Sequence, residues 1–328
     1  MENQILWLNK KEVESLLDMK STIKVVEEAF RQHGLKKVQI PSKLYLYFKK
    51  HNGDLRTMPA YLEEQDIAGV KIVNAHPDNP GIGLPTVMAL VILNSTATGA
   101  PLAVMDGTYL TDMRTGAAGG IAVKYLARKN SRTVGFVGAG NQARTQLMAI
   151  NEIIDIEEVK AASISEKITL AFKEEMEKKI ECEIDAKNSI KEVCDCDILV
   201  TTTPSRTPIV MNDWITEGTH INAIGADAPG KEELDPMILK RARIIVDDIP
   251  QASHSGEVNV PLSKGIITGK DIPAELGEVI VGKKRGRTKD SDITIFDSTG
   301  LAIQDVATAN MVFQKAQEKN IGIRLQQF

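Results

Sequence analysis

Cysteine is scarce in this chain of 328 residues, which has only Cys182, Cys194 and Cys196. Three thiols cannot all pair, and the Cys-Asp-Cys spacing fits neither a CxxC redox motif nor a zinc ribbon, so the reading is reduced structural thiols without a disulfide framework. Aromatic residues make up 4% of the chain, with no interleaved aromatic and basic face on which bases would stack. Charge of one sign is also lacking. Forty basic against forty-four acidic residues leave a net charge of −4, and no block of five or six like charges occurs. Nucleic acid and anionic membranes are therefore not expected partners. No stretch of eighteen apolar residues is found, and the start MENQILWLNKKEVESLL lacks the basic, apolar and small-residue order of a secretion signal. A cytoplasmic protein is expected.

What is present suffices for two cores, since 328 residues at 42% hydrophobic content exceed one typical domain. Apolar residues from Val13 to Phe30 recur at helical spacing with a break near Asp18, which predicts two consecutive amphipathic helices. LYLYF (44–48), GVKIV (69–73) and TVMALVILN (86–94) read as strands, so the first hundred residues predict a small α+β domain. A small-residue helix from Met113 runs into the strand TVGFVGAG at Thr133. Strand and helix patterns then alternate through VKAASI, DILVTTT, HINAIG and RIIVDD, which predicts a parallel, doubly wound α/β sheet. The expected division is 1–120 plus 302–328 for a substrate and dimerisation domain, with a Rossmann domain over 121–301.

After the strand VGFV comes GAGNQA, a GxGxxA pattern with Gly138, Gly140 and Ala143 in the three constrained places. The first glycine permits the tight turn, the second lets backbone approach a pyrophosphate, and the small third residue lets helix and strand close together. The helix N-terminus beyond offers N–H groups to phosphate. An acidic residue that would bind the ribose hydroxyls is expected about twenty residues on, but VKAASISEK has Ser163 there. Without that carboxylate a 2′-phosphate is not repelled, and Ser163, Ser165 and Lys167 can hydrogen-bond to one. NAD with a weaker ribose contact through Glu166 is the equal alternative, so the cofactor reads as NAD or NADP.

Arg56 in DLRTMP, Lys71 in GVKIVNAHPDNP and Arg114 in DMRTGAAGG interrupt apolar patterns at the ends of strands or a helix. They are either solvated surface charges or a clamp for an anionic substrate such as an amino-acid carboxylate. In HINAIGADAPGKEELD an apolar strand ends in Gly225, Ala226 and Asp227, at the carboxyl edge where α/β sheets place ligands. Asp227 is either a general base or a strand-ending cap. His76 lies in a Pro/Asn turn and His220 in a buried-looking strand, neither with a companion at metal-ligand spacing, and no metal is expected.

Taken together, DLRTMPAY, GVKIVNAHPDNPGIGLPTVMAL, MRTGAAGG, VGAGNQA, INAIGADAPGKEELD and IFDSTGLAIQD resemble the ornithine cyclodeaminase and mu-crystallin family across essentially the whole chain, with its archaeal alanine dehydrogenase branch the nearest likeness. The resemblance implies a homodimer formed through the N-terminal domain and a site between that domain and the Rossmann domain. It implies that Lys71 is the catalytic lysine, that Asp227 moves protons to and from water or ammonia, and that Arg114 and Thr115 serve substrate and cofactor. Lys43 and Arg56 join Lys71 on the substrate carboxylate. Asn141, Gln142, Thr203, Ala226 and Ser298 are implied on the cofactor side. Ornithine cyclodeaminases resemble this segment but carry glutamate where Arg56 stands, to receive the distal amine. Two like charges 4 Å apart at an effective permittivity near 20 repel by about 4 kcal/mol, which disfavours ornithine.

Three readings stand. The first is NAD(P)-dependent oxidative deamination of L-alanine to pyruvate and ammonia, reversibly. The second is a cyclodeaminase or cyclic-imine reductase. The third is a mu-crystallin-like protein that binds NADPH without turnover.

Overall fold

The computed structural model describes residues 4–326. In chain order the elements begin β1 (Gln4–Leu8), α1 (Lys10–Leu16), α2 (Met19–Gly34), β2 (Val38–Gln39), β3 (Leu44–Phe48), β4 (Gly53–Leu62), β5 (Ile67–Ala75), β6 (Val87–Ser95), β7 (Pro101–Asp106) and α3 (Thr108–Leu126). They continue β8 (Thr133–Val137), α4 (Asn141–Asn151), β9 (Glu158–Ala162), α5 (Glu166–Met176), β10 (Ile184–Ala186), α6 (Ile190–Val193), β11 (Ile198–Thr201), β12 (His220–Ala223), α7 (Pro236–Arg241), β13 (Arg243–Val246), α8 (Ile249–Ser255) and α9 (Asn259–Ser263). The last are β14 (Ala274–Glu275), α10 (Leu276–Ile280), β15 (Thr294–Asp297), α11 (Ala302–Lys319) and β16 (Ile323–Gln326).

Two compact units result, one holding the chain through Arg114 together with Leu301 onward, the other Thr115–Gly300. The division falls inside α3, six residues before the expected position at 120. The reason is local: the Arg114 side chain bonds to residues of α11 in the first unit, whereas the Thr115 carbonyl accepts from Gln146 in the second.

In the first unit a mixed sheet runs β16-β1-β7-β6-β5-β4-β2, with β3 also on β4. Asp18 caps α2 by accepting from the Ser21 amide at 2.7 Å, which is why the helical pattern breaks there. One sheet face carries Met58, Ala60, Leu62, Val73, Ala89, Val91 and Leu93, all buried, and α11 packs against β4, β5 and β6. On the other face Leu44, Leu46, Met88, Leu90, Ile323 and Leu325 are exposed.

In the second unit all pairings are parallel, in the order β10-β9-β8-β11-β12-β15-β13-β14. Strand order reverses between β8 and β11, the switch point at which such sheets bind ligands. Alternate residues feed two cores. Val134, Phe136, Ile198 and Val200 pack with Leu147 and Phe172 in one, while Val137, Leu199, Ile221 and Ile295 pack with Leu234 and Ile238 in the other. Burial on both faces explains the continuous apolar runs. Cys182, Cys194 and Cys196 are free thiols, and burial pushes Cys194 up to about 12. Among the described residues no helix is long and apolar enough to cross a membrane.

Candidate functional site

Period two along β5 points Gly69, Lys71 and Val73 at the packed face, so a lysine occupies a core position, 1% exposed. Its cross-strand neighbours are Met58 on β4 and Val91 on β6. An ammonium in such surroundings requires a countercharge, and α11 supplies it. Asp305 Oδ1 accepts from Lys71 Nζ at 2.8 Å and from Arg114 Nε at 2.9 Å, while Arg114 Nη1 donates to Gln304 Oε1 at 2.8 Å. All of these groups are buried, and Asp305 Oδ2 has no hydrogen-bond partner among the described residues. Burial first, then the Arg114 charge, pushes the Lys71 ammonium down to about 7; the Asp305 carboxylate opposes this and Lys43 adds to it. The cluster therefore joins two of the expected residues, Lys71 and Arg114, around a carboxylate that sequence reading passed over, with the Lys43 charge felt at Lys71.

Arg56 shares that strand face but is held otherwise. Its Nε and Nη2 donate to Asp54 Oδ1 and Oδ2, both at 3.0 Å, and its guanidinium lies 5.4 Å from the centre of the Tyr45 ring. This corrects the electrostatic expectation. A carboxylate two residues away already balances Arg56, so its repulsion of a distal amine is weaker than that of a bare cation.

In the second unit the turn after β8 has the geometry its glycines imply. Gly138 has φ +96°, and a Cβ there would stand 2.7 Å from Thr202 Oγ1, so only glycine fits. Gly140 precedes α4 with no side chain capping the helix, and a Cβ on it would meet nothing within 4 Å. Ala143 is fully buried beneath. An open space above an uncapped helix N-terminus, which begins with Asn141 and Gln142, fits a dinucleotide pyrophosphate. At the end of β9 the Ser163 hydroxyl donates to the Ser165 carbonyl at 2.9 Å and lies 2.9 Å from Thr169 Oγ1. Ser165 precedes α5.

The ends of β11 and β12 are tied together by Glu233, also missed in the sequence. Its carboxylate accepts from Thr203 N at 2.6 Å, Thr203 Oγ1 and Thr201 Oγ1 at 2.7 Å, and Gly225 N at 2.9 Å. Burial raises it despite these bonds. Ala226 is buried and Asp227 pairs with Lys231. At the end of β15, Ser298 is 3% exposed and its hydroxyl finds no partner among the described residues, another polar group available at the carboxyl edge. Thr115 lies at the start of this unit, with its carbonyl held by Gln146 Nε2 at 2.9 Å. Residues 138–140, Thr203, Ala226, Asp227 and Ser298 thus stand at the ends of parallel strands or in the loops after them, and residues 141–143 form the first turn of α4. His220 bonds to Thr294 and Asn222 at 2.9 Å each, and burial pushes it down to about 3, while His76 stacks on Phe48.

A parallel sheet whose first strand ends in a glycine turn over an open helix N-terminus defines a dinucleotide-binding α/β protein, here carrying a second unit with a buried Lys–Asp–Arg cluster. Residues 3–320 match the profile of the ornithine cyclodeaminase/mu-crystallin family, and the chain belongs to that family. It is 56% identical over 326 residues to an alanine dehydrogenase of Archaeoglobus fulgidus, covering 99% of each chain. Among solved structures it is similar to an archaeal alanine dehydrogenase dimer with bound NAD, at TM-score 0.96 and 56% identity over 99% of this chain and 100% of that one. It is also similar to the Thermococcus litoralis Δ1-pyrroline-2-carboxylate reductase in complex with NADH and L-proline, at TM-score 0.95 and 42% identity over 98% and 100%.

Proposed function

We propose that this protein is a cytoplasmic, nicotinamide-dependent oxidoreductase that reversibly deaminates L-alanine to pyruvate and ammonia. The observation that carries the reading is the Lys71–Asp305–Arg114 cluster, in which two cations share one carboxylate oxygen and leave positive charge for a single α-carboxylate. Likeness to alanine dehydrogenases over the whole chain supports the choice of alanine. A nicotinamide cofactor, when bound, would supply the acceptor for the Cα hydrogen of the amino acid, taking its carbon to the iminium level. Gly138, Gly140 and the first turn of α4 would hold its pyrophosphate, with Thr203 and Ser298 on the same edge of the sheet. Lys71 and Arg114, joined by Lys43 and Arg56, orient the substrate carboxylate, converting an encounter into a positioned step. Asp227 takes a proton from a water molecule as it adds to the iminium carbon and returns it to the amine nitrogen; the C–N bond then breaks as the hydroxyl proton is given back to Asp227, ammonia departs and pyruvate remains.

NAD is the proposed cofactor. A 2′-phosphate needs donors, and the Ser163 hydroxyl already has the Ser165 carbonyl and Thr169 Oγ1 as partners at 2.9 Å each, whereas a ribose hydroxyl can donate to the serine oxygen.

L-alanine added to the protein with NAD, and separately with NADP, tests both points. Net growth of reduced-nicotinamide absorbance is expected with NAD and at least about tenfold less with NADP. No reduction with either cofactor, over a pH series that runs from below the Lys71 value of about 7 to the alkaline side that favours deamination, overturns the alanine reading. The second reading, reduction of a cyclic imine carboxylate, is favoured by the likeness to the pyrroline-2-carboxylate reductase. Oxidation of reduced cofactor by Δ1-pyrroline-2-carboxylate, without alanine turnover, would select it.

A homodimer is proposed through the exposed apolar face of the first unit's sheet. Leu44 is 56%, Leu46 51% and Leu90 41% exposed there, and a contiguous apolar face of this kind marks an interface. The related archaeal structure is described as a dimer, which supports a second copy as the occupant. Light scattering is expected to give a dimer for the native chain and mostly monomer for Leu46→Asp/Leu90→Asp. A native monomer overturns the proposal.

A further inference from the structure

Asp305 has no role in the chemistry described so far, yet its carboxylate is buried and held by two cations. It is fully buried on α11 and reaches Lys71 across 234 residues of sequence. Both cations converge on the same oxygen, Oδ1, at 2.8 and 2.9 Å, and the neighbouring Gln304 takes a second Arg114 nitrogen. One acidic side chain thereby sets the separation of the lysine and the arginine, and α11 brings that carboxylate to both β5 and α3. The groups that face Lys71 are Asp305 from α11, Arg114 and Asp112 from α3, and Lys43 from the segment before β3, while its neighbours on β4 and β6 are Met58 and Val91. Two of these four charged groups are cations, and the Asp305 carboxylate bonds directly to the lysine.

We propose that Asp305 is a positioning residue of the reaction. It holds the Lys71 ammonium and the Arg114 guanidinium on a single carboxylate oxygen and gives the lysine its countercharge, so that its loss harms turnover more than substrate binding. The inference rests on the reading that Lys71 and Arg114 hold the substrate carboxylate.

The direction of the pH effect follows from the charges. Burial and Arg114 already depress Lys71 to about 7, against the pull of Asp305. Without the carboxylate the ammonium is deprotonated at still lower pH, and the limb of the rate profile that reports loss of its proton moves to lower pH. Substrate affinity is held up by the opposite effect, since removing a negative charge from beside a carboxylate site favours an anion.

The test is Asp305→Asn, with kcat and KM measured against pH on whichever substrate the native enzyme turns over. The expected result is a kcat lower by about tenfold or more, KM lower or unchanged, and a limb displaced downward by about one pH unit. NMR titration of the lysine side chains, with the Lys71 signal assigned by its absence in Lys71→Met, reads the same displacement without any turnover. A failure of the functional reading, which leaves no substrate, therefore stays distinguishable from a failure of this one. An unshifted Lys71 midpoint in folded Asp305→Asn overturns the proposal. Breaking a buried pair is strongly destabilising, so if that variant does not fold, Asp305→Glu decides. It keeps the charge but displaces the oxygen, and it is expected to retain the native limb with a lowered kcat. A native kcat for Asp305→Glu overturns the positioning role.

Discussion

Lys71→Met is expected to lower kcat/KM for alanine deamination by about 1,000-fold at about pH 6, below the value of about 7 to which burial pushes the lysine, while leaving NAD binding within about twofold of the native value. Methionine matches the length and much of the volume of the lysine stem, so packing against Met58 and Val91 is preserved. The ammonium alone is removed. Asp305 keeps Arg114 at 2.9 Å and so is not left as a bare buried charge. The fold should therefore survive, which a melting curve checks, and the loss is then chemical. A variant that keeps more than about a tenth of native kcat/KM would remove Lys71 from the proposed chemistry. Cofactor binding is expected to be spared because the glycine turn and α4 belong to the other compact unit.

Asp227→Asn is expected to abolish net deamination, by about 100- to 10,000-fold in kcat, with cofactor binding intact. The backbone around Asp227 is fixed independently of its carboxylate. Gly225 N is bonded to Glu233 at 2.9 Å, Ala226 is buried, and Asp227 N donates to Gly225 O at 3.1 Å. Asparagine keeps the size of the side chain and an oxygen for Lys231, but an amide cannot take a proton from water at neutral pH. Titration of NADH by fluorescence separates binding from turnover. Near-native kcat in this variant would assign Asp227 the bland role of ending a strand and capping the turn.

The second unit was largely legible because its signals are local. Both faces of its strands are covered, so each strand is a short continuous apolar run, and the glycine turn announces itself in six consecutive residues. The break between α1 and α2 was legible for the same reason, since an N-cap is written within four residues. Lys71 stood out as one of three cations that interrupt apolar patterns, although whether it was clamped or solvated stayed open, and it lies in the middle of β5 rather than at a strand end. Asp305 is different. It lies in GLAIQD, a segment recognised as a block but not weighed residue by residue, and Gln304 and Asp305 set among Ala302, Ile303, Val306 and Ala307 in the first two turns of α11 were the available signal. A polar pair on a buried face implies a buried partner without saying which one.

Local pattern alone thus sufficed for the parallel sheet, the dinucleotide turn and the inventory of cations, because each depends on residues a few positions apart. Partnership was settled only by the folded chain. That Lys71 meets Asp305, that Asp54 neutralises Arg56, and that Glu233 ties Thr203 to Gly225 depend on strand register and helix packing. Those are consequences of burying apolar surface over the whole chain, and no short window of sequence contains them.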